Sequence, residues 1–294
     1  MNKRMILYIQ GAILLIESAI MVLPIAAALI YRETSGVWFF YTALAAAICG
    51  FAAMKLSKPR TKTIYAKEGL ITVALGWIVL SLVGALPFTL SGEIPFYLDA
   101  VFEMISGFTT TGSSILPNVE ALSRCMLLWR SFSHWLGGMG ILVFMLAIVK
   151  MEGGQGIHLL RAESPGPTVG KMVPRMVDSS KILYTIYFAL TLVQVVFYLA
   201  GGMPLFDSLC NAFATAGTGG FSIKADSFAS YSMYAQTVTT VFMALFGVNF
   251  SIYFFLLQKK FDLAFKNTEL RWYVGIILFS IAMITANILP MYPD

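Results

Sequence analysis

Charged side chains are scarce in this sequence: Asp, Glu, Lys and Arg make up 12% of its 294 residues, about half of what a soluble domain carries. With 58% hydrophobic residues and a mean hydropathy of +0.79, that scarcity leaves little room for a soluble domain and reads as a polytopic membrane protein. Cysteine is nearly absent too. Cys49, Cys125 and Cys210 form no metal-binding spacing. Cys49 falls inside an apolar run, and the remaining pair is read as free thiols rather than a disulfide. The only histidines, His134 and His158, are far apart with no carboxylate or Cys spacing around them, so no metal centre is expected. Enzyme motifs are missing. The glycine runs lack the Lys-Ser/Thr ending of a phosphate loop, and there is no nucleophile elbow or HExxH. Any nucleotide sensing therefore has to come from another subunit. The net charge of +5 does not point to nucleic acid, because the basic residues sit in short loops between apolar runs.

Those runs are what the sequence has in abundance. Seven are long enough to cross a bilayer, at about 5–30, 36–54, 69–90, 127–149, 182–200, 235–257 and 272–290. The first begins like a signal peptide but continues through Tyr31, longer than an h-region, so a retained helix is expected. Sixteen of the twenty Lys and Arg fall on one side of these spans, in the groups Lys3–Arg4, Lys55–Lys67, Lys150–Lys181 and Lys259–Arg271. Only Arg32, Arg124, Arg130 and Lys224 fall on the other. The positive-inside rule puts the sixteen, and the N-terminus, in the cytoplasm; an odd number of spans leaves Asp294 outside. Residues 151–178, rich in Gly and Pro, read as a cytoplasmic linker, the alternative being a docking surface for a cytoplasmic partner.

A loop occurs twice between these runs. Residues 99–114 read DAVFEMISGFTTTGSS and residues 207–222 read DSLCNAFATAGTGGFS; a shift of 108 places Asp99 on Asp207, Thr110 on Thr218, Gly112 on Gly220 and Ser114 on Ser222. Each apolar stretch before the Thr/Gly run is about ten residues, a helix of about 15 Å, half a bilayer core. A half-length helix followed by Thr and Gly suggests a chain that dips into the membrane and leaves on the same side, here the outside. Non-helical backbone at that depth is tolerated only where protein buries it or it lines water, so each loop is a candidate ion filter. The repeated unit is span, half-helix, Thr/Gly segment, span. It gives a division into a two-helix hairpin (1–68), a first unit (69–150), a linker (151–181), a second unit (182–258) and the first span of a third (259–294). The units are parallel, which favours a central pore over the inverted repeats of rocking transporters. Backbone carbonyls of an extended, rigidly held segment could replace the water a cation loses, with Gly112, Gly219 and Gly220 permitting the backbone angles and Thr109, Thr110, Thr111 and Thr218 adding hydroxyls that anchor the strand. The half-helix C-termini add a partial negative charge. Coordination without carboxylates suits a weakly hydrated monovalent cation better than Ca²⁺ or Mg²⁺.

Other residues have plainer readings. Asp99 and Asp207 are expected to cap the half-helices. Glu103, whose counterpart is Asn211, is expected to hydrogen-bond behind the loop. Glu17, inside the first span, is read as structurally paired or protonated. Gly137, Gly138, Gly140 and Gly247 are expected to allow close helix packing rather than hinging. Trp129, Trp135, Tyr231 and Tyr234 are read as interfacial aromatics.

Four patches then carry a resemblance: SGFTTTGSS (106–114), WRSFSHWLGGMGI (129–141), ATAGTGGFS (214–222) and GVNFSIYFF (247–255). In order and spacing the chain resembles the Trk/Ktr/HKT superfamily of potassium transporters, most closely its Trk-type uptake subunits, over nearly its whole length. The resemblance implies an all-α polytopic membrane protein of four span–pore loop–span units as in potassium channels. Two complete units are present here, without the third and fourth filters, the intramembrane gate loop and a pore-facing Arg. It implies potassium uptake through a carbonyl-lined filter, with K⁺ held at Thr110, Thr111, Gly112, Thr218, Gly219 and Gly220, and no organic cofactor. It also implies a place among the lipids of the bacterial inner membrane, homodimerisation and a cytoplasmic nucleotide-binding regulatory subunit. Both gated permeation and symport with H⁺ or Na⁺ are compatible with it. Two filters cannot surround an ion, so the sequence is read as part of a longer chain, the alternatives being two copies combined or a non-conducting membrane scaffold.

Overall fold

The computed structural model describes residues 2–59, 66–140 and 176–289, and among them every regular element is helical. The first apolar run holds two helices, α1 (Lys3–Ile20) and α2 (Val22–Tyr31). The single helix expected there breaks at Met21, since Pro24 has no N–H for the Ile20 carbonyl and its ring crowds that oxygen. The Asn2 side chain starts α1 by accepting the Met5 N–H at 3.1 Å. α2 stops where Arg32 turns left-handed at φ 57°. α3 (Gly36–Leu56) returns alongside α1. The two cross at Gly11 and Gly50, where a Cβ on either would stand 2.7 Å from the other's carbonyl oxygen, the close approach that small residues permit between membrane helices.

α4 (Ala66–Ser91) leads to the half-helix α5 (Tyr97–Phe108), the first Thr/Gly segment, a 3₁₀ turn at Val119–Ala121 and α6 (Arg124–Met139). α7 (Met176–Ala200) leads to the half-helix α8 (Leu205–Ala216), the second Thr/Gly segment and α9 (Met233–Phe246). α5 and α8 begin and end at positions that coincide under the 108-residue shift, each 12 residues long, about 18 Å. The connection expected over 151–181 is helical from Met176 onward. Its remainder, His158 and the 141–149 end of the expected fourth span lie outside the described residues.

The sixth span does not run straight from 235 to 257. Its helix stops at Gly247 and resumes as α10 (Phe250–Leu257) at 87° to α9. Where the ladder breaks, tyrosine hydroxyls reach its last carbonyls: Tyr273 donates to Ala244 O at 2.9 Å and Tyr253 to Leu245 O, which also accepts the Val248 N–H at 3.2 Å. Gly247 therefore marks a bend as well as a close contact, with Tyr273 lying against it. α6 ends at almost the equivalent place, at Gly140 with φ 78°. α11 (Phe261–Phe265) and α12 (Thr268–Ile288) follow, and no α12 residue is buried. Among the described residues five helices, α1–α2 counted together, are long and apolar enough to cross a membrane, or six with the bent α9–α10 pair. α6, on the expected fourth span, is described over 16 residues, Arg124–Met139.

Candidate functional site

The two Thr/Gly segments lie side by side. A Cβ on Gly112 would overlap the Gly219 carbonyl oxygen, and one on Gly219 would stand 2.8 Å from the Thr110 carbonyl oxygen. Their backbones also match. Thr110 and Gly112 have φ of 55° and 76°, Thr218 and Gly220 have φ of 58° and 66°, and Thr111 and Gly219 between them stay negative. Threonine in the left-handed region is strained by about 1–2 kcal/mol. The half-helix ends hold it there. Thr110 N–H donates to Gly107 O at 3.0 Å, Thr111 N–H to Ser106 O at 2.9 Å and Thr218 N–H to Thr215 O at 2.8 Å. All six residues expected to form the site are thus brought together, and each is exposed or half-buried.

Behind each segment a serine ties the chain to its half-helix. Ser114 Oγ donates to Glu103 at 2.6 Å and Ser222 Oγ to Asn211 at 3.3 Å, while the N–H two residues further on, of Leu116 and Lys224, donates to each serine at 3.2 Å. Glu103 lies behind the loop as expected. It also accepts the Ile115 N–H at 2.6 Å and pairs with Arg130 Nε at 3.0 Å, both partners being buried. Arg130 Nη1 reaches across to the Ser222 carbonyl at 2.7 Å, and its guanidinium lies over the Phe221 ring, 3.2 Å from the centroid. His134 is buried one turn further along α6, stacked on Phe221 at 5.2 Å, with neither ring nitrogen meeting a partner among the described residues. Its ring fills the space where side chains on Gly217 and Gly219 would go.

α6 passes between the half-helices on glycines. A Cβ on Gly137 would stand 2.8 Å from the Thr110 methyl, and one on Gly138 would stand 3.0 Å from the Ala216 carbonyl and overlap the Tyr187 hydroxyl. Its first amides are capped from afar. Glu33 accepts the N–H groups of Arg124 and Cys125 at 2.8 and 2.9 Å, and Glu93 accepts Ser123 N–H at 2.7 Å. Carboxylates there also complement the helix dipole.

Several expectations need correction. Asp99 and Asp207 sit in the first turns of α5 and α8 rather than at the N-caps, Phe96 and Pro204, and neither helix has a side-chain cap. Asp207 instead accepts the Tyr231 hydroxyl at 3.0 Å. Trp129 and Trp135 are not interfacial. Both are buried, their indole N–H groups donating to Gly84 O and Thr191 Oγ1, each at 3.0 Å. Glu17 is buried against Gly84 with no donor to either oxygen among the described residues, so its structural pairing is not found. Arg130 is not a loop charge but a buried residue of α6. An Arg inside an apolar segment calls for a partner, and that signal could have found the Glu103 pair. Nothing local marks Glu33 as a cap for a helix 91 residues away.

A family model described as TrkH, cation transport protein, matches residues 38–281. The Trk system potassium uptake protein TrkH of Salmonella typhimurium is 35% identical over 289 residues, covering 97% of this chain and 60% of that protein. TrkG of Escherichia coli K12 is 31% identical over 281 residues, 94% of this chain and 58% of that protein. The crystal structure of the potassium transporter TrkH from Vibrio parahaemolyticus matches with a TM-score of 0.84 at 29% identity, covering 100% of this chain and 61% of that one. The chain thus spans about 60% of the length of the curated relatives it matches.

Proposed function

We propose, for a chain that belongs to the TrkH family of cation transport proteins, that residues 99–114 and 207–222 form part of the selectivity filter of a potassium uptake pore. The family is one of transporters, not enzymes. The observation that carries the reading is the shared backbone of the two segments, positive φ at Thr110 and Gly112 and again at Thr218 and Gly220, side by side with none of these residues buried. In a β-strand successive residues face opposite ways. A chain whose φ alternates in sign turns successive carbonyls toward the same side, and a row of such oxygens can stand in for the water of a K⁺ ion. The C-terminal ends of α5 and α8 point at these segments and favour a cation there. In this reading Thr110, Thr111, Gly112, Thr218, Gly219 and Gly220 coordinate K⁺. The two units face the outside of a bacterial inner membrane with the N-terminus in the cytoplasm. The complete protein supplies two further filter segments, forms a homodimer and answers to a cytoplasmic nucleotide-binding subunit.

The test is potassium-limited growth of an uptake-deficient bacterium carrying the complete reading frame. Gly112→Asp and Gly220→Asp each abolish rescue while protein remains in the membrane. Undiminished growth with both substitutions refutes the filter assignment.

A further inference from the structure

Arg130 lies inside the molecule, 2% exposed, where the positive-inside rule has no use for it. Its planar guanidinium can satisfy two acceptors at once, and the two it meets belong to different copies of the repeated loop. Through Nε it pairs with Glu103, whose other oxygen holds Ser114 Oγ and Ile115 N–H, just beyond Gly112. Through Nη1 it holds the Ser222 carbonyl, just beyond Gly220. The bridge thus joins equivalent points of two equivalent segments. The sequence supplies it once: under the 108-residue shift Glu103 becomes Asn211 and Arg130 becomes Val238. Asn211 accepts from the hydroxyl of its own Ser222, at 3.3 Å, and donates to Met203 Sδ, at 3.8 Å. Because the carboxylate faces the guanidinium at 3.0 Å, the pair adds little net charge behind the segments. What it adds is a fixed distance between them.

We propose that Arg130 and Glu103 are positioning residues that set the spacing of the two Thr/Gly segments and through it the discrimination between K⁺ and Na⁺. The inference rests on the potassium reading above. A carbonyl-lined site sorts ions by how closely its oxygens are held and how many of them face the ion. The carbonyls of Thr110 and Gly219 lie at the contact between the segments, so a shift of one segment against the other alters the cage directly.

The experiment is Rb⁺ uptake with Na⁺ as competitor, in cells carrying the complete reading frame. It compares wild type with Arg130→Lys and with the double variant Glu103→Gln, Arg130→Gln. Lysine keeps the charge opposite Glu103 but lacks the planar fork that reaches Ser222. The double variant removes both charges, leaving neither buried alone. In both variants Na⁺ is expected to compete about tenfold better or more, a change in ion preference that a merely stabilising pair would not produce. Wild-type Na⁺ competition in both variants overturns the inference. Absence of both from the membrane overturns it as well, since the pair is then needed for folding rather than selectivity. Failure of the wild type itself to take up Rb⁺ is a separate result and removes the potassium reading along with the inference.

Discussion

Gly112 and Gly220 coincide in the repeat, yet their surroundings differ. Both have positive φ, but a Cβ on Gly112 overlaps the neighbouring segment, while the space beside Gly220 is open to 4 Å. At position 220 alanine meets only the backbone penalty, about 1–2 kcal/mol. At position 112 it must also push Gly219 aside. Gly112→Ala is therefore expected to abolish Rb⁺ uptake, and Gly220→Ala to reduce it partially, at equal protein levels. Equal effects would mean that the segments are not in contact at Gly112. At this scale the repeat made the two matched Thr/Gly segments legible, because Thr and Gly recur at fixed spacing. It hid Arg130, because repetition points to what two copies share and the Glu103–Arg130 pair exists in one copy only. The aromatic residues misled for another reason. Trp near a span end suits an interface, but an apolar ring with one N–H suits a buried contact with a single acceptor equally well, and Gly84 O and Thr191 Oγ1 provide those acceptors.

Among the helices, α6 carries Arg130, His134 and the two glycines that fit between α5 and α8, so its placement sets the rest. Its own N-cap, Ser123, makes no side-chain capping bond. Glu33 takes two of its free amides instead. Glu33→Ala is expected to destabilise the protein by about 1–2 kcal/mol, seen as a lower unfolding midpoint of the detergent-solubilised protein, with Glu33→Gln intermediate. An unchanged midpoint in both would show that water caps α6 equally well. The rough positions of the long helices were legible from hydropathy, but not their number: five or six of the described helices are long and apolar enough to cross, against seven expected. The breaks at Met21 and Gly247 were not legible either, because the apolar runs continue across both. Pro24 was the local warning for the first. For the second, the tyrosines that reach the last carbonyls include Tyr273 of a different helix, which no window of neighbouring residues reveals.

Across the whole molecule, α6 joins the two halves, packed against α8 and hydrogen-bonded to α7. Tyr187 Oη donates to the Trp135 carbonyl at 2.8 Å, Trp135 Nε1 to Thr191 Oγ1 at 3.0 Å, and Tyr184 Oη to the Gly140 carbonyl at 2.8 Å. Tyr187 is fully buried and also fills the groove over Gly138. Tyr187→Phe keeps the ring and removes one buried hydrogen bond, expected to cost about 1 kcal/mol. The readout is the detergent unfolding midpoint together with uptake. A lower midpoint with normal uptake is expected, whereas lost uptake at an unchanged midpoint would place Tyr187 in the transport path instead. That the Thr/Gly loop recurs was legible from the 108-residue shift. These hydrogen bonds were not, since Tyr184, Tyr187 and Trp135, which make them, become Gly76, Val79 and Met243 under the same shift.

Glu33 sits at the tip of the N-terminal hairpin, a region with no part in the proposed pore. A shortened protein beginning at α4 would still contain every Thr and Gly of both loops, yet would leave the amides of Arg124 and Cys125 bare and let the first turn of α6 unravel, six residues before the guanidinium that links the loops. The hairpin, easily taken for a peripheral extension, thereby supports the proposed filter from a distance, and trimming it is expected to blunt ion preference before it stops transport.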